Sequence, residues 1–548
     1  KQISEGWPMQ RKKRWILPLY LVELLLLIAA IILVVKFIPD FGSHPGHSES
    51  SPTTESSETA ESSQSAESSQ TAEDDSAKQE SKYPDEPGQT KNDTKSETKS
   101  KTKYNRKSDD AVAKETDSST QTQAVYSPPT MIVASDLHYM SPTMTDFGKV
   151  LEDYTAGGDG RATSYLDPIT DAFLEEVVVK KPSVLILSGD ISQDGERVNH
   201  GELARKLRRV QKAGVPVLVI PGNHDINNPW AATYYGDSMV PTDTVDADGF
   251  LDIYHEFGYD QAAGRDENSL SYLYKLDDRY WLMMLDSCIY EPRNEVGGRI
   301  RRDTLTWMET WLEKAKEEHV TVIPVAHHNL LNESALYKEE CTLENHREVT
   351  ALLEKYNLPI YISGHLHLQR VKKNISGPTA ESQYGIHEIV SGSLSISPCQ
   401  YGILKWTEDG SLSYNTKAVD VAAWARKHQQ EDENLLDFAD YSSRFLADVI
   451  SSQLYRSVYS IPKDRKTQMA ALYGEVNRAY SSGQKVNAAD IKADKDYFYW
   501  QRYLGETKWY DNLTAMLKDT NHDNNSLYLT AGKDFPRIKP KDECKSEE

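Results

Sequence analysis

An α/β fold is predicted for the central part of this chain by three observations. Five short hydrophobic runs are each followed by a residue able to bind a metal ion. Helical segments alternate with those runs, the rhythm of an α/β domain. Two later apolar segments flank an Asp409-Gly410 turn and read as an antiparallel pair, giving a mixed sheet pair.

The five runs carry the argument. Met131-Ile132-Val133-Ala134-Ser135 leads into Asp136-Leu137-His138, and Val184-Leu185-Ile186-Leu187 into Gly189-Asp190. Val217-Leu218-Val219-Ile220 leads into Gly222-Asn223-His224-Asp225, Val322-Ile323-Pro324-Val325 into His327-His328-Asn329, and Ile360-Tyr361-Ile362 into Gly364-His365-Leu366-His367. Short β-branched runs bounded by turn residues read as buried strands. Ligands at successive strand ends gather at one sheet edge, where open α/β folds place their chemistry. A dinuclear metal centre follows, and with it an enzyme.

Helices are expected over residues 202–213, 303–318 and 342–356. The second carries an apolar stripe of Leu305, Met308, Trp311 and Leu312, with Asp303 or Thr304 as cap. Later strands over residues 386–391, 402–405 and 411–414 read as antiparallel. From about residue 421 the chain turns charged and aromatic with no strand until near Leu527, which predicts a helical accessory domain over 421–548 behind a catalytic domain over 129–420.

The N-terminal part has a different character. Arg11-Lys12-Lys13-Arg14 precedes an apolar run over residues 15–35, interrupted only by Glu23 and closed by Lys36. That length crosses a bilayer as a helix, and the basic cluster predicts a cytoplasmic N-terminus with everything after Lys36 outside. Residues 1–42 thus read as a cytoplasmic stub and single-pass anchor in the cell membrane. Cleavage as a signal peptide is the alternative and would make the protein secreted. Residues 43–128 are Ser, Thr, Glu, Gln and Lys with almost no large aliphatic side chain, and read as a disordered tether.

The formal charge of −22 argues against stable nucleic-acid binding through a basic face. A small anionic substrate remains compatible, because bound cations invert the local field. Cys288, Cys341, Cys399 and Cys544 form no close pair and suggest neither a disulfide framework nor a zinc knuckle.

The ordered set of motifs over residues 131–418 resembles the calcineurin-like metallophosphoesterase superfamily. The resemblance implies a four-layer α/β/β/α sandwich and a pair of divalent or trivalent metals such as Mn, Fe or Zn. It assigns Asp136, His138 and His367 to one metal, Asp190 to the bridge, and Asn223, His327 and His365 to the second, with His328 as the alternative to His327. His224 would stand beside the substrate, oriented by Asp225, and a hydroxide bridging the metals would attack phosphorus. Gly189-Asp190-Ile191-Ser192-Gln193-Asp194-Gly195 with Gly222-Asn223-His224-Asp225 is similar to class III cyclic-nucleotide phosphodiesterases rather than protein phosphatases. With a helical C-terminal domain and an anchor, the chain looks like a Gram-positive bacterial subgroup of those enzymes.

The function this implies is hydrolysis of cyclic nucleotides or related small phosphodiesters outside the membrane. A phosphomonoesterase or nucleotidase on the same site is the second reading, and a non-catalytic cell-surface binding protein the third. The aromatics Trp230, Tyr234, Tyr235, Phe250, Tyr254 and Phe257 read mainly as a loop packing on itself, and Gly157-Gly158-Asp159-Gly160 as a flexible stretch. Oligomeric state is open.

Overall fold

The structure is a computed structural model and describes residues 126–337, 339–374 and 384–537. The expected membrane helix and almost all of the expected tether lie outside the described residues, as does Cys544. Among the described residues no helix is long and apolar enough to cross a membrane.

Along the chain the strands are β1 Thr130–Ala134, β2 Val184–Ser188, β3 Val217–Ile220, β4 Ala232–Tyr235, β5 Ser238–Pro241, β6 Gly264–Arg265, β7 Tyr272–Lys275 and β8 Tyr280–Met284. They continue as β9 Thr321–Val325, β10 Ile360–Ser363, β11 Arg370–Lys373, β12 His387–Val390, β13 Gln400–Trp406, β14 Leu412–Ala418 and β15 Ser526–Leu529. One sheet has the order β15-β14-β13-β1-β2-β3, another β11-β12-β10-β9-β8-β7-β6, and β4-β5 is a separate hairpin. β1, β2 and β3 are parallel neighbours, and so are β8, β9 and β10. Parallel strands carrying ligands at their C-terminal ends deliver all of them to the same side.

Alternation of side chains builds the layers. Ile132, Leu185 and Val219 of the first sheet share a core with Leu282, Ile323 and Ile362 of the second. Trp281, Met283, Val322 and Tyr361 turn the other way, against Met308 and Leu312 of the helix Arg302–Glu318 and Val349 and Leu353 of the helix His346–Lys355. Phe173 and Val177 of the helix Leu166–Lys180 and Leu203 and Leu207 of the helix Arg197–Lys212 join the first sheet's core. This is a mixed α/β fold with helices outside and sheets inside. Each fully buried aliphatic side chain contributes roughly 1.5–3 kcal/mol, so the sheet pair is a rigid platform for its edge turns.

Several elements differ from expectation. The helix expected from residue 202 begins at Arg197, because its first turn buries polar groups: Asn199 Oδ1 accepts from Ser141 N, and His200 is buried among hydrogen-bond partners. An apolar periodicity cannot reveal such a turn. The helix expected over 342–356 is His346–Lys355, and Thr304, rather than capping its helix, donates to Asp266. β12 is antiparallel to β11 but parallel to β10, so the expected all-antiparallel arrangement of the later strands holds for β13 and β14 alone.

The C-terminal region is helical from Val421 to Asp519, dominated by Phe438–Ser457 and Lys463–Ser481. The chain then returns as β15 and pairs with β14 at the edge of the first sheet. The helices share a core with the α/β part: Leu366, Leu368 and Val390 pack with Tyr473, Trp500, Leu513 and Met516. Arg370 Nη1 donates to Asp519 O, and Ala335 N to the Asp519 carboxylate.

Candidate metal centre

The turns after β1, β2 and β10 hold their ligands in an unusual backbone conformation. Asp136, His138, Asp190, His365 and His367 have φ of 52°, 45°, 47°, 70° and 55°. Left-handed backbone is disfavoured for residues bearing a Cβ and persists where the surroundings over-determine it. Here the surroundings are the buried strands and close-packed glycines. A Cβ on Gly222 would lie 2.2 Å from Asp190 N, and one on Gly364 would lie 1.8 Å from Ser135 Oγ and 2.7 Å from the Asp136 carboxylate. Only glycine lets these turns approach one another so closely.

Two groups of side chains result. Asp136, His138, Asp190 and His367 place ligand atoms within 4.8 Å of one another, and so do Asp190, His327 and His365. Asp190 belongs to both. In the first group His138 Nε2 faces His367 Nε2 at 2.9 Å, and His367 Nε2 lies 3.5 Å from Asp136 Oδ1. In the second, His327 Nε2 lies 3.2 Å from Asp190 Oδ2 and 3.2 Å from Asn223 Oδ1. His328 is set apart: its Nδ1 meets Ser287 Oγ at 2.8 Å and its Nε2 meets Val296 O at 2.9 Å, so both ring nitrogens are engaged elsewhere.

The proton positions suit cations. His327 Nδ1 donates to Ser188 O at 3.0 Å, His367 Nδ1 to Asp159 Oδ2 at 2.8 Å and His365 Nε2 to Glu340 O at 3.0 Å. Each ring therefore turns its other nitrogen, an acceptor when the imidazole is neutral, toward a cluster already rich in carboxylate oxygen. Such a surplus of acceptors is costly to bury without positive charge. The same field acts on protons. Burial alone would depress His327 and His367, yet Asp190 raises the former to about 9, and Asp136 with Asp159 raises the latter to about 10. Imidazole, carboxylate and amide oxygen donors without thiolate fit first-row metals. The structure thus contains a candidate dimetal site of Asp and His residues, with Asn223 beside it.

His224 lines the same cleft. Its Nδ1 lies 2.8 Å from Asp194 Oδ1 and 3.1 Å from Gln193 O, and its Nε2 has no hydrogen bond among the described residues. Burial opposes protonation, but Asp190 and Asp194 outweigh it and raise the pKa. The orienting carboxylate is therefore Asp194, not Asp225. Asp225 accepts from Ile191 N, Ser192 N, Ser192 Oγ and Gly222 N, tying the turn after β2 to the turn after β3. Four short bonds leave it no part in orienting the His224 ring.

Two residues outside the expected set complete the surroundings. Asp159 holds His367, and Arg161 Nη1 lies 3.0 Å from His138 Nδ1 while Arg161 Nε donates to Asp159 Oδ1 at 3.0 Å. Both sit on a loop held by the helix Phe438–Ser457, since Gln453 Nε2 donates to Gly158 O at 2.6 Å and Arg456 Nη2 to Ala156 O at 3.0 Å. The expected loop aromatics mostly pack inward: Tyr234, Phe250, Tyr254 and Phe257 are buried, while Trp230 and Tyr235 are exposed. Cys288 and Cys399 are buried free thiols, and Cys341 is also free.

Comparison with known proteins accords with this geometry. Residues 129–369 match the family described as calcineurin-like phosphoesterase, and residues 420–523 match the C-terminal domain of cyclic nucleotide phosphodiesterase. The chain is 21% identical over 384 residues to the uncharacterized metallophosphoesterase-like protein YydB of Bacillus subtilis, covering 64% of this chain and 76% of that protein. It is 23% identical over 260 residues to the 3′,5′-cyclic adenosine monophosphate phosphodiesterase CpdA of Haemophilus influenzae, covering 45% of this chain and 79% of that one. Among solved structures it is similar to a dimetal phosphatase from Danio rerio, with 15% identity and a TM-score of 0.36 over 54% of this chain and 97% of that chain. The strand-end ligands thus lie within a segment that matches a calcineurin-like phosphoesterase domain, and the helices after it match a cyclic nucleotide phosphodiesterase C-terminal domain.

Proposed function

We propose that this protein is a dimetal phosphodiesterase acting on cyclic nucleotides or related small phosphodiesters. The observation that carries the reading is the sharing of Asp190 between two ligand groups in the lining of a cavity of about 570 Å³. Asp136, His138 and His367 would hold one metal, Asn223, His327 and His365 the other, and Asp190 both. Bound there, a metal pair supplies charge neutralisation for phosphoryl oxygens and a water acidic enough to react at neutral pH. The diester preference is supported by the C-terminal match to a cyclic nucleotide phosphodiesterase domain and by the likeness to CpdA.

The chain's own residues then have separable tasks. His224, whose protonated form Asp190 and Asp194 favour against burial, would present Nε2–H to a phosphate oxygen or the leaving oxygen. Asp194 fixes its ring. Arg161 adds a cationic group to the same cleft. Buried strand-end turns hold these groups before substrate arrives, which is the main way such a site lowers a barrier.

We further propose an anchored, outward-facing location, supported by the basic cluster at residues 11–14 and the apolar run after it. The deciding experiment strips the full chain with chelator, restores manganese, and compares a cyclic nucleotide, an aryl phosphodiester and the matching monoesters. Metal-dependent turnover of the diesters above the monoesters is expected. Preference for monoesters would establish a nucleotidase, and metal binding without turnover a binding protein.

A further inference from the structure

The cavity over the metal centre has two chemically different walls. Around Asp190, Asn223 and His224 it is ionic. The helices Phe438–Ser457 and Lys463–Ser481 supply Ile450, Gln453 and Asn477 to the same cavity, and the segment before β10 supplies Tyr337. None of these four is charged.

The two amides are arranged as acceptors. The Gln453 amide nitrogen is spent on Gly158 O at 2.6 Å, and the Asn477 amide nitrogen faces Met516 Sδ at 3.6 Å. Neither carboxamide oxygen accepts a hydrogen bond from the described residues. Asn477 is only 7% exposed, in the middle of a helix, and the cavity it lines is where its carboxamide oxygen can meet a donor. Beside these oxygens stand the aliphatic Ile450 and the aromatic Tyr337, which is 43% exposed.

We infer that the C-terminal helices form the subsite for the uncharged part of the substrate, and that this part is a planar group bearing N–H donors, of the nucleobase kind. The inference rests on the phosphodiesterase reading and adds to it the residues that select the substrate. A base offers its amino or ring N–H edge to Gln453 and Asn477 and its face to Tyr337, a platform any base can use. A quaternary ammonium headgroup is disfavoured, since it calls for several aromatic faces and this wall has one. A second phosphate is disfavoured by a wall without cations.

The test is equilibrium binding of nucleoside 5′-monophosphates (all four bases), ribose 5-phosphate and inorganic phosphate to the manganese-loaded full chain. At least one nucleotide should bind tenfold or more tightly than ribose 5-phosphate. The nucleotide-to-sugar-phosphate ratio should fall about fivefold in Gln453→Ala or Asn477→Ala, as expected for one lost hydrogen bond. Asn477 is buried, so Tyr337→Ala, at an exposed position, gives an independent reading and should lower the same ratio. No nucleotide binding more than twofold better than ribose 5-phosphate, or a ratio unchanged in all three variants, overturns the inference. Discrimination among nucleotides in a protein that hydrolyses no diester would uphold the subsite and overturn the reaction instead.

Discussion

The Asp159 carboxylate lies 2.8 Å from Nδ1 of His367, on the side of the ring turned away from the candidate metal ligands. A carboxylate in that position fixes the tautomer and makes the opposite nitrogen a better donor. Asp159→Ala should therefore weaken metal binding about 10–100-fold while circular dichroism stays native. Metal titration against a competing chelator measures the loss. Unchanged affinity would show that His367 needs no such support.

Gly160, one residue on, has φ of +100° and packs against the C-terminal helices, where an added Cβ would lie 2.3 Å from Leu446 Cδ1. Two effects are separable there. The leucine tip can move, but the backbone conformation cannot be adopted by alanine without strain of about 1–3 kcal/mol. Gly160→Ala should destabilise by that amount in urea titrations, and adding Leu446→Ala should not restore it. Recovery in the double variant would make the clash the whole cause.

His224 Nε2 is placed to reach either a phosphate oxygen or the leaving oxygen, and the two roles separate by leaving group. His224→Ala should lower kcat about 10²–10⁴-fold on a diester with an alkoxide leaving group and much less on an aryl ester, whose leaving group needs no proton. Equal losses on both would assign His224 to phosphate binding alone. Asp194→Asn should give a smaller loss of the same kind, because it disturbs the ring through one hydrogen bond.

Acid should loosen the site through His200, whose Nε2 reaches Asp225 O at 3.0 Å and Ser192 Oγ at 3.2 Å and whose Nδ1 reaches Tyr254 OH at 3.0 Å. Burial lowers its pKa to about 4, against about 6.5 unfolded. Between those values the unfolded chain takes up a proton that the native ring refuses. The contribution is complete above about pH 6.5 and is lost as pH falls toward 4, amounting to about 2 kcal/mol at pH 5. Urea midpoints at pH 7 and pH 5 should differ less in His200→Asn than in the parent chain.

The parts of this structure legible in the chain are those governed by local pattern. Val184–Ser188 and Val217–Ile220 are buried throughout, so continuous apolar runs mark them, and the residues after them stand where such runs must end. What escaped depends on distant partners. Asp194 and Asp225 both follow glycine-rich turns, and nothing nearby says which one meets the His224 ring. Asp159 sits among glycines that read as a plain flexible stretch until its partner, more than two hundred residues later, is placed beside it. The parallel pairing of β12 is likewise a matter of topology rather than composition.

Gly364-His365-Leu366-His367-Leu368 serves two masters, its imidazoles turned to the candidate metal site and its two leucines seated among Tyr473 and Trp500. A chain shortened before Val421 would bare those leucines to water and unseat the histidines between them. The helices thus form the floor beneath the candidate metal-binding turn, and a lineage that dropped them would have to invent a new one.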